Sequence, residues 1–116
     1  MTPTIPIINP DELAWETHPR FSAITMKPLI TSATHPQASV SRVRVPPSEV
    51  IGRHIHPEEV EVVYVLAGQS LLTLDNADYP FNAGQIVAIP AGLEHALRNV
   101  GEETVELLTF FTPPII

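Results

Sequence analysis

The residues with most chemical promise are three of the five histidines, gathered in two short segments, His54-Ile55-His56 and His95. A His-x-His spacing places both rings on one face of a strand, so two imidazoles can reach one ion. Pro57 interrupts the strand just after the pair, and the chain turns through Glu58-Glu59. Glu61 then enters an apolar run where alternation sets it on one face with Val63 and Val65, bringing a carboxylate beside the histidines. Glu58 and Glu59 compete for that role, ranked lower because a turn beside a proline leaves a charge solvated. His95 follows the Pro90-Ala91-Gly92 turn and can supply a further donor from another strand. Three neutral imidazoles and one carboxylate suit one divalent transition metal ion (Fe, Mn, Ni, Zn or Cu) and offer too few hard oxygens for Ca or Mg. Such a site carries a formal charge of about +1 and leaves positions open for water, substrate or dioxygen if six-coordinate. An isolated His-x-His also occurs on surface strands that hold no metal, so the pair alone does not decide. His18 and His35 each precede a proline in loop-like sequence and are expected at the surface.

Little else in the chain could do chemistry. There is no cysteine, which removes disulfides, thiolate ligands and thiol nucleophiles, and the single lysine is Lys27. No nucleophile with a paired base is evident, so a metal would have to supply most of the reactivity. Six basic against thirteen acidic side chains give a net charge of -7, which argues against nucleic acid and anionic membrane surfaces as partners. Sugar-phosphate substrates call for basic anchors. Only Arg42, Arg44, Arg53 and Arg98 lie near the β-rich region, and alternation turns many of them outward. The expected ligand is therefore an apolar or weakly polar small molecule, with an enolate, carboxylate or diketone group to chelate the ion.

The elements that must position these residues are short strands. A chain of 116 residues, 44% apolar and 16% charged, can bury one core and leaves little room for a second. Its thirteen prolines sit between β-rich runs rather than inside long periodic segments. The spacing predicts strands near Ser22 to Pro28, Ala38 to Val45, Arg53 to His56, Val60 to Ala67, Ser70 to Asp75, Tyr79 to Phe81, Ile86 to Ile89, His95 to Asn99 and Val105 to Phe111. One short helical turn is predicted after Asn9, with Asn9 as N-cap and Pro10 at the first position. Turns recurring at such intervals point to an all-β antiparallel sandwich or barrel. Residues 1–20 read as an N-terminal arm with the helical turn, 21–112 as the barrel and 113–116 as a tail. The isoleucines of both ends (Ile5, Ile7, Ile8, Ile115, Ile116) would be exposed on a monomer and are expected to cover a partner subunit. The aromatic residues are expected in the core or at a dimer interface, with one face of the final strand available to line a pocket. The longest apolar runs fall far short of a membrane span, and no basic n-region opens the chain, so the cytoplasm is the default address.

The spacing around the histidines resembles the cupin superfamily, whose first motif reads G-x5-H-x-H-x3 or 4-E-x6-G and whose second reads G-x5-P-x-G-x2-H-x3-N. Gly84, Pro90, Gly92, His95 and Asn99 meet every position of the second. His54, His56, Glu61 and Gly68 match the first, whose opening glycine position holds Ser48; Gly52 nearby is out of register. The resemblance implies a double-stranded β-helix, or jelly roll, with a metal near one mouth held by His54, His56, Glu61 and His95. Gly68, Gly84 and Gly92 then serve turns, and Asn99 reads as a hydrogen-bonding residue rather than a ligand. It further implies a metal-dependent enzyme, with dioxygenase-type oxidation of a chelating substrate leading. A non-redox isomerase, lyase or decarboxylase comes second, and a non-enzymatic binding or sensor module third. A homodimer is expected.

Overall fold

The computed structural model describes residues 5–116. After a 3-10 turn at Pro10–Glu12, ten strands follow: β1 (Glu16–Thr17), β2 (Thr25–Ile30), β3 (Ser39–Val45), β4 (Val50–His54), β5 (Val60–Ala67), β6 (Gln69–Leu74), β7 (Ala77–Asn82), β8 (Ile86–Ile89), β9 (His95–Asn99) and β10 (Val105–Thr112). They form a six-stranded sheet, β1-β2-β3-β10-β5-β8, and a four-stranded sheet, β4-β9-β6-β7, with every pairing antiparallel. This is the jelly roll. Its core lies between the sheets, where Val43, Val45, Val63, Val65, Val105 and Leu107 of the larger sheet face Leu72, Phe81 and Leu97 of the smaller. Alternation along β5 buries Glu61, Val63 and Val65 and leaves Tyr64 and Leu66 outside.

Three strands, β5, β8 and β9, have the predicted limits. β2 starts three residues later than expected because Ile24 N–H donates to Phe21 O at 3.0 Å, tying residues 21–24 into a turn. β4 ends at His54, where the ladder to β9 breaks register between Ile51 and His54, so the predicted run to His56 is corrected: His56 lies beyond the strand. β7 extends through Pro80, which an edge strand tolerates because its missing N–H faces no partner. In the 3-10 turn, the Asn9 side chain accepts from Asp11 N–H at 3.2 Å, as a cap should.

Two turn positions explain motif residues. Ser48, at the place of the missing glycine, adopts φ 68°, the left-handed conformation that glycine takes without strain. Gly68 has φ 94°, and a Cβ there would lie 2.9 Å from Val105 Cα and from Val105 Cγ2, so backbone shape and close approach both require glycine.

The two ends behave differently from one another. Ile5 and Ile7 are exposed, at 81% and 100%. The other end folds back: Ile115 N–H donates to Ser39 Oγ at 3.0 Å, Ser32 N–H donates to Ile116 O at 2.7 Å, and Thr112 Oγ1 donates to Gln37 O at 2.9 Å. These bonds fold the tail back rather than leaving it extended and set Ile115 and Ile116 along the cavity lining, while both side chains stay exposed, at 40% and 37%, as expected of a monomer. Among the described residues, no helix is long and apolar enough to cross a membrane.

Candidate metal centre

His54, His56, Glu61 and His95 come together at the barrel mouth, each with one donor atom, and these four atoms all lie within 4.8 Å of one another. Both sheets contribute. His54 ends β4 and pairs directly with His95, which opens β9 of the same sheet. Glu61 reaches in from β5 of the other sheet. His56 sits in the connecting turn, where its carbonyl accepts from Gly92 N–H at 2.9 Å, so the proline-glycine turn before His95 also braces His56. Glu58 is exposed, and the Glu59 carboxylate is occupied in accepting from Glu58 N–H at 3.1 Å. Neither joins the cluster.

The hydrogen bonds around the rings define their protonation. His54 Nδ1 lies 2.7 Å from Gly52 O and His95 Nδ1 lies 2.9 Å from Leu93 O. A carbonyl can only accept, so both Nδ1 atoms carry hydrogen, and in the neutral rings the Nε2 atoms present lone pairs to the cavity. His95 Nε2 nevertheless stands 3.0 Å from Glu61 Oε1, and His56 Nε2 stands 3.5 Å from the same oxygen. Lone pairs facing a carboxylate repel, so each contact needs positive charge between its atoms: a proton on Nε2, which then donates to Glu61, or a metal ion in its place. His56 Nε2 is buried with no hydrogen-bond partner, which is costly for a polar atom.

The electrostatics agree. Burial pushes the Glu61 carboxyl up, but the neighbouring His56 and His95 rings outweigh it and hold the group below the usual carboxylate range. Burial pushes His95 down, yet the Glu61 bond and the Leu93 carbonyl leave it above the ordinary imidazole value. For His54 burial prevails over the Gly52 carbonyl, and the ring sits below that value. In an octahedral shell with bonds of about 2.1 Å, donors lie roughly 3 to 4.2 Å apart, so small side-chain adjustments would bring these four to a common ion. The donor set therefore fits a divalent transition ion.

The cluster forms the polar floor of a cavity of about 290 Å³ whose walls are mainly apolar, with Phe21, Val43, Ile51, Leu72, Leu107 and Phe111 among them. Phe111 stands edge-on to His56, ring centroids 5.0 Å apart. Inward-facing Leu107, Thr109 and Phe111 make one face of β10 part of the wall, as anticipated for the final strand. Phe81 is core, whereas Tyr64, Tyr79 and Phe110 are exposed. Asn99 stays away from the site: its Nδ2 donates to Val45 O at 2.9 Å and Glu103 O at 2.7 Å, and its Oδ1 accepts from Gly101 N–H.

Several lining residues escaped the sequence reading, among them His18, Arg20, Ile115 and Ile116. His18 corrects the expectation of a surface ring, since it is half-buried against Phe21. No local signal marks it, because His35 stands in the same His-Pro context and is exposed.

A profile of the cupin domain matches residues 41–111. The chain belongs to the cupin family. Among its relatives this cupin is 31% identical over 81 residues to the oxalate-binding protein of Thermotoga maritima, covering 69% of this chain and 67% of that one. It is 37% identical over 67 residues to the polyketide synthase CurC of Streptomyces cyaneus, covering 58% of this chain and 44% of that one, so it spans less than half of that relative. The crystal structure of a predicted oxalate decarboxylase from Thermotoga maritima superposes with a TM-score of 0.84 at 25% identity, over 92% of this cupin and 98% of that chain. Cupin homologues bind small molecules, and this cupin carries a group that could hold a metal ion.

Proposed function

We propose that this cupin is a metal-dependent enzyme for a small, largely apolar organic molecule with a chelating oxygen pair, and that its reaction is a dioxygenase-type oxidation. The observation that carries this reading is the buried, unpartnered Nε2 of His56, facing Glu61 and two further imidazoles at the floor of an apolar cavity. A divalent transition ion held by His54, His56, Glu61 and His95 supplies a Lewis-acid and redox-capable centre. The chain's own residues do the rest. Gly52 and Leu93 carbonyls fix the rings of His54 and His95 through Nδ1. Glu61 supplies the compensating negative charge, and the apolar walls exclude water and select by shape.

The same walls argue for the substrate class. None of Arg42, Arg44, Arg53 and Arg98 lines the cavity, and the one cationic side chain that does, Arg20, is exposed. A small dianion would gain little from such walls, whereas a ring or chain carrying an enol or diketone would bury its apolar body there. A non-redox reaction by Lewis-acid polarisation is the second reading, favoured by the structural similarity to a protein described as a predicted oxalate decarboxylase. A binding role is the third, after the relative named as oxalate-binding. The deciding experiment is metal analysis of protein purified without a histidine tag, followed by oxygen uptake by the iron-loaded form with a panel of diketones. Oxygen consumed with product formation supports the oxidation. Turnover by the zinc form without oxygen transfers the assignment to the second reading, and binding without turnover to the third.

A further inference from the structure

Beyond the four clustered side chains, the polar residues of the cavity wall are His18, Arg20, Ser41 and Thr109. Thr109 Oγ1 is committed, donating to Ser41 O at 3.3 Å, and Arg20 is exposed to solvent. His18 is different: it is half-buried, it lies on the wall rather than in the cluster, and one of its nitrogens has a defined role. Arg20 N–H donates to His18 Nδ1 at 3.0 Å. A nitrogen that accepts carries no proton, so the neutral ring holds its hydrogen on Nε2. We propose that His18 is a second anchor for the substrate of this site, its Nε2–H donating to an oxygen at the end of the molecule remote from the chelating pair. The proposal rests on the metal-dependent reading above and deepens it, since it requires a substrate with acceptors at both ends of an apolar body.

Geometry supports the assignment independently of the metal cluster. The His18 ring packs on Phe21 with centroids 5.2 Å apart, and Phe21 packs on His54 at 5.9 Å. Contacts between rings thus link His18 to the cluster through Phe21, with the rings tilted by 40° and 56° at the two steps, and all three line the same cavity. Two backbone bonds hold the loop in place, His18 N–H donating to Ile24 O at 2.9 Å and Ile24 N–H donating to Phe21 O at 3.0 Å. A donor fixed before binding loses little freedom when it binds. Burial, and then the nearby Arg20 charge, hold His18 below the ordinary imidazole value, which keeps it a neutral donor at pH 7. His35 provides an internal comparison. It makes the same His-Pro turn, its Nδ1 accepting from Gln37 N–H at 3.2 Å, yet it is exposed, so the turn does not by itself require a half-buried ring.

The test compares two chelators that share a peri hydroxyl-carbonyl pair: 5-hydroxy-1,4-naphthoquinone, with a second carbonyl opposite, and 8-hydroxy-1-tetralone, whose saturated ring has none, so that the change in preference between wild type and variant, rather than the preference itself, reports the far-end bond. The chain has no cysteine, so the quinone has no thiol to alkylate. Each is titrated into zinc-loaded wild type, His18→Phe and His18→Gln, with zinc content and melting temperature measured alongside. The preference of wild type for the quinone is expected to exceed that of His18→Phe by roughly 3- to 10-fold, the value of one hydrogen bond. His18→Phe should lose that margin while keeping zinc and tetralone affinity, and His18→Gln, which retains a donor, should keep part of it. A preference unchanged in His18→Phe overturns the anchor. So does equal loss in both variants, or a parallel drop in tetralone affinity, either of which makes His18 a packing residue. If wild type with bound zinc takes neither probe, the chelating-substrate reading itself fails and the anchor falls with it.

Discussion

At the scale of single residues, the centre turns on which atoms are already satisfied. His54 and His95 spend Nδ1 on carbonyls and keep Nε2 for the cavity, and His56 Nε2 has no protein partner. Replacing His54, His56 or His95 by Ala, or Glu61 by Gln, should lower bound metal from stoichiometric to a small fraction in elemental analysis, with the fold preserved by circular dichroism. Metal content unchanged in Glu61→Gln would remove the carboxylate from the set. Ser48 offers a stability test. A non-glycine residue at φ 68° carries strain, so Ser48→Gly should raise stability by about 1 kcal/mol in urea unfolding. Gly68→Ala should lower it by about 2 kcal/mol or more, because the added carbon meets Val105 backbone. The four site residues were legible because donor type and motif spacing are written locally. His18 was not, since what separates it from His35 is the packing of a loop on Phe21, a contact between distant surfaces rather than a property of the His-Pro pair.

Among the elements, β5 was readable in full, since a single face alternates from Glu61 to Val65 and the strand is bounded by turn residues. The limits of β4 were not. Its end is set by a register break with β9, a partner over forty residues away in the chain, and periodicity carries no record of it. The fold-back of residues 112–116 was equally hidden, because its hydrogen bonds go to Ser32, Gln37 and Ser39. On the outer face of the large sheet, Glu106 of β10 accepts from Arg42 at 2.7 Å and Arg44 at 3.0 Å, and Arg44 lies over the Trp15 ring at 3.9 Å, pinning the N-terminal segment. Burial pushes Glu106 up, but the two guanidinium bonds and charges hold it below its ordinary 4.5. A depressed folded value means that the carboxylate stabilises the protein fully above the unfolded value, and that this is lost as pH falls from about 4.5 through the lower folded value. Glu106→Gln should therefore flatten the acid side of the melting-temperature profile and cost about 1 kcal/mol at pH 7. Parallel acid limbs in mutant and wild type would refute the linkage.

For the molecule as a whole, the outer face of the large sheet carries the argument for a second copy. Tyr64 pairs across to Leu108 and Ile86, and Val62 to Phe110 and Ala88, so apolar side chains of β10, β5 and β8 lie side by side facing away from the core. Tyr64, Leu66, Ile86 and Phe110 are all more than a third exposed. A symmetric homodimer that covers this face is our expectation, with Ile5 and Ile7 free to reach across. Light scattering at micromolar concentration should give twice the monomer mass of 12.7 kDa, and Tyr64→Glu with Phe110→Glu should return it to the monomer value. A wild-type monomer would sink the dimer.

The cluster straddles both layers of the jelly roll: His54 and His95 come from the smaller sheet and Glu61 from the larger, and Gly92 clasps His56 across the gap. A nascent chain therefore offers a passing cation only the adjacent pair of rings, a weak and unselective foothold. The complete coordination set arises at the closing of the barrel, and after that the walls stand between the ion and bulk solvent. On the metal-dependent reading, the cation found in a purified sample is then a record of which ions surrounded the chain at maturation, and refolding in a defined ionic bath should be the way to rewrite it.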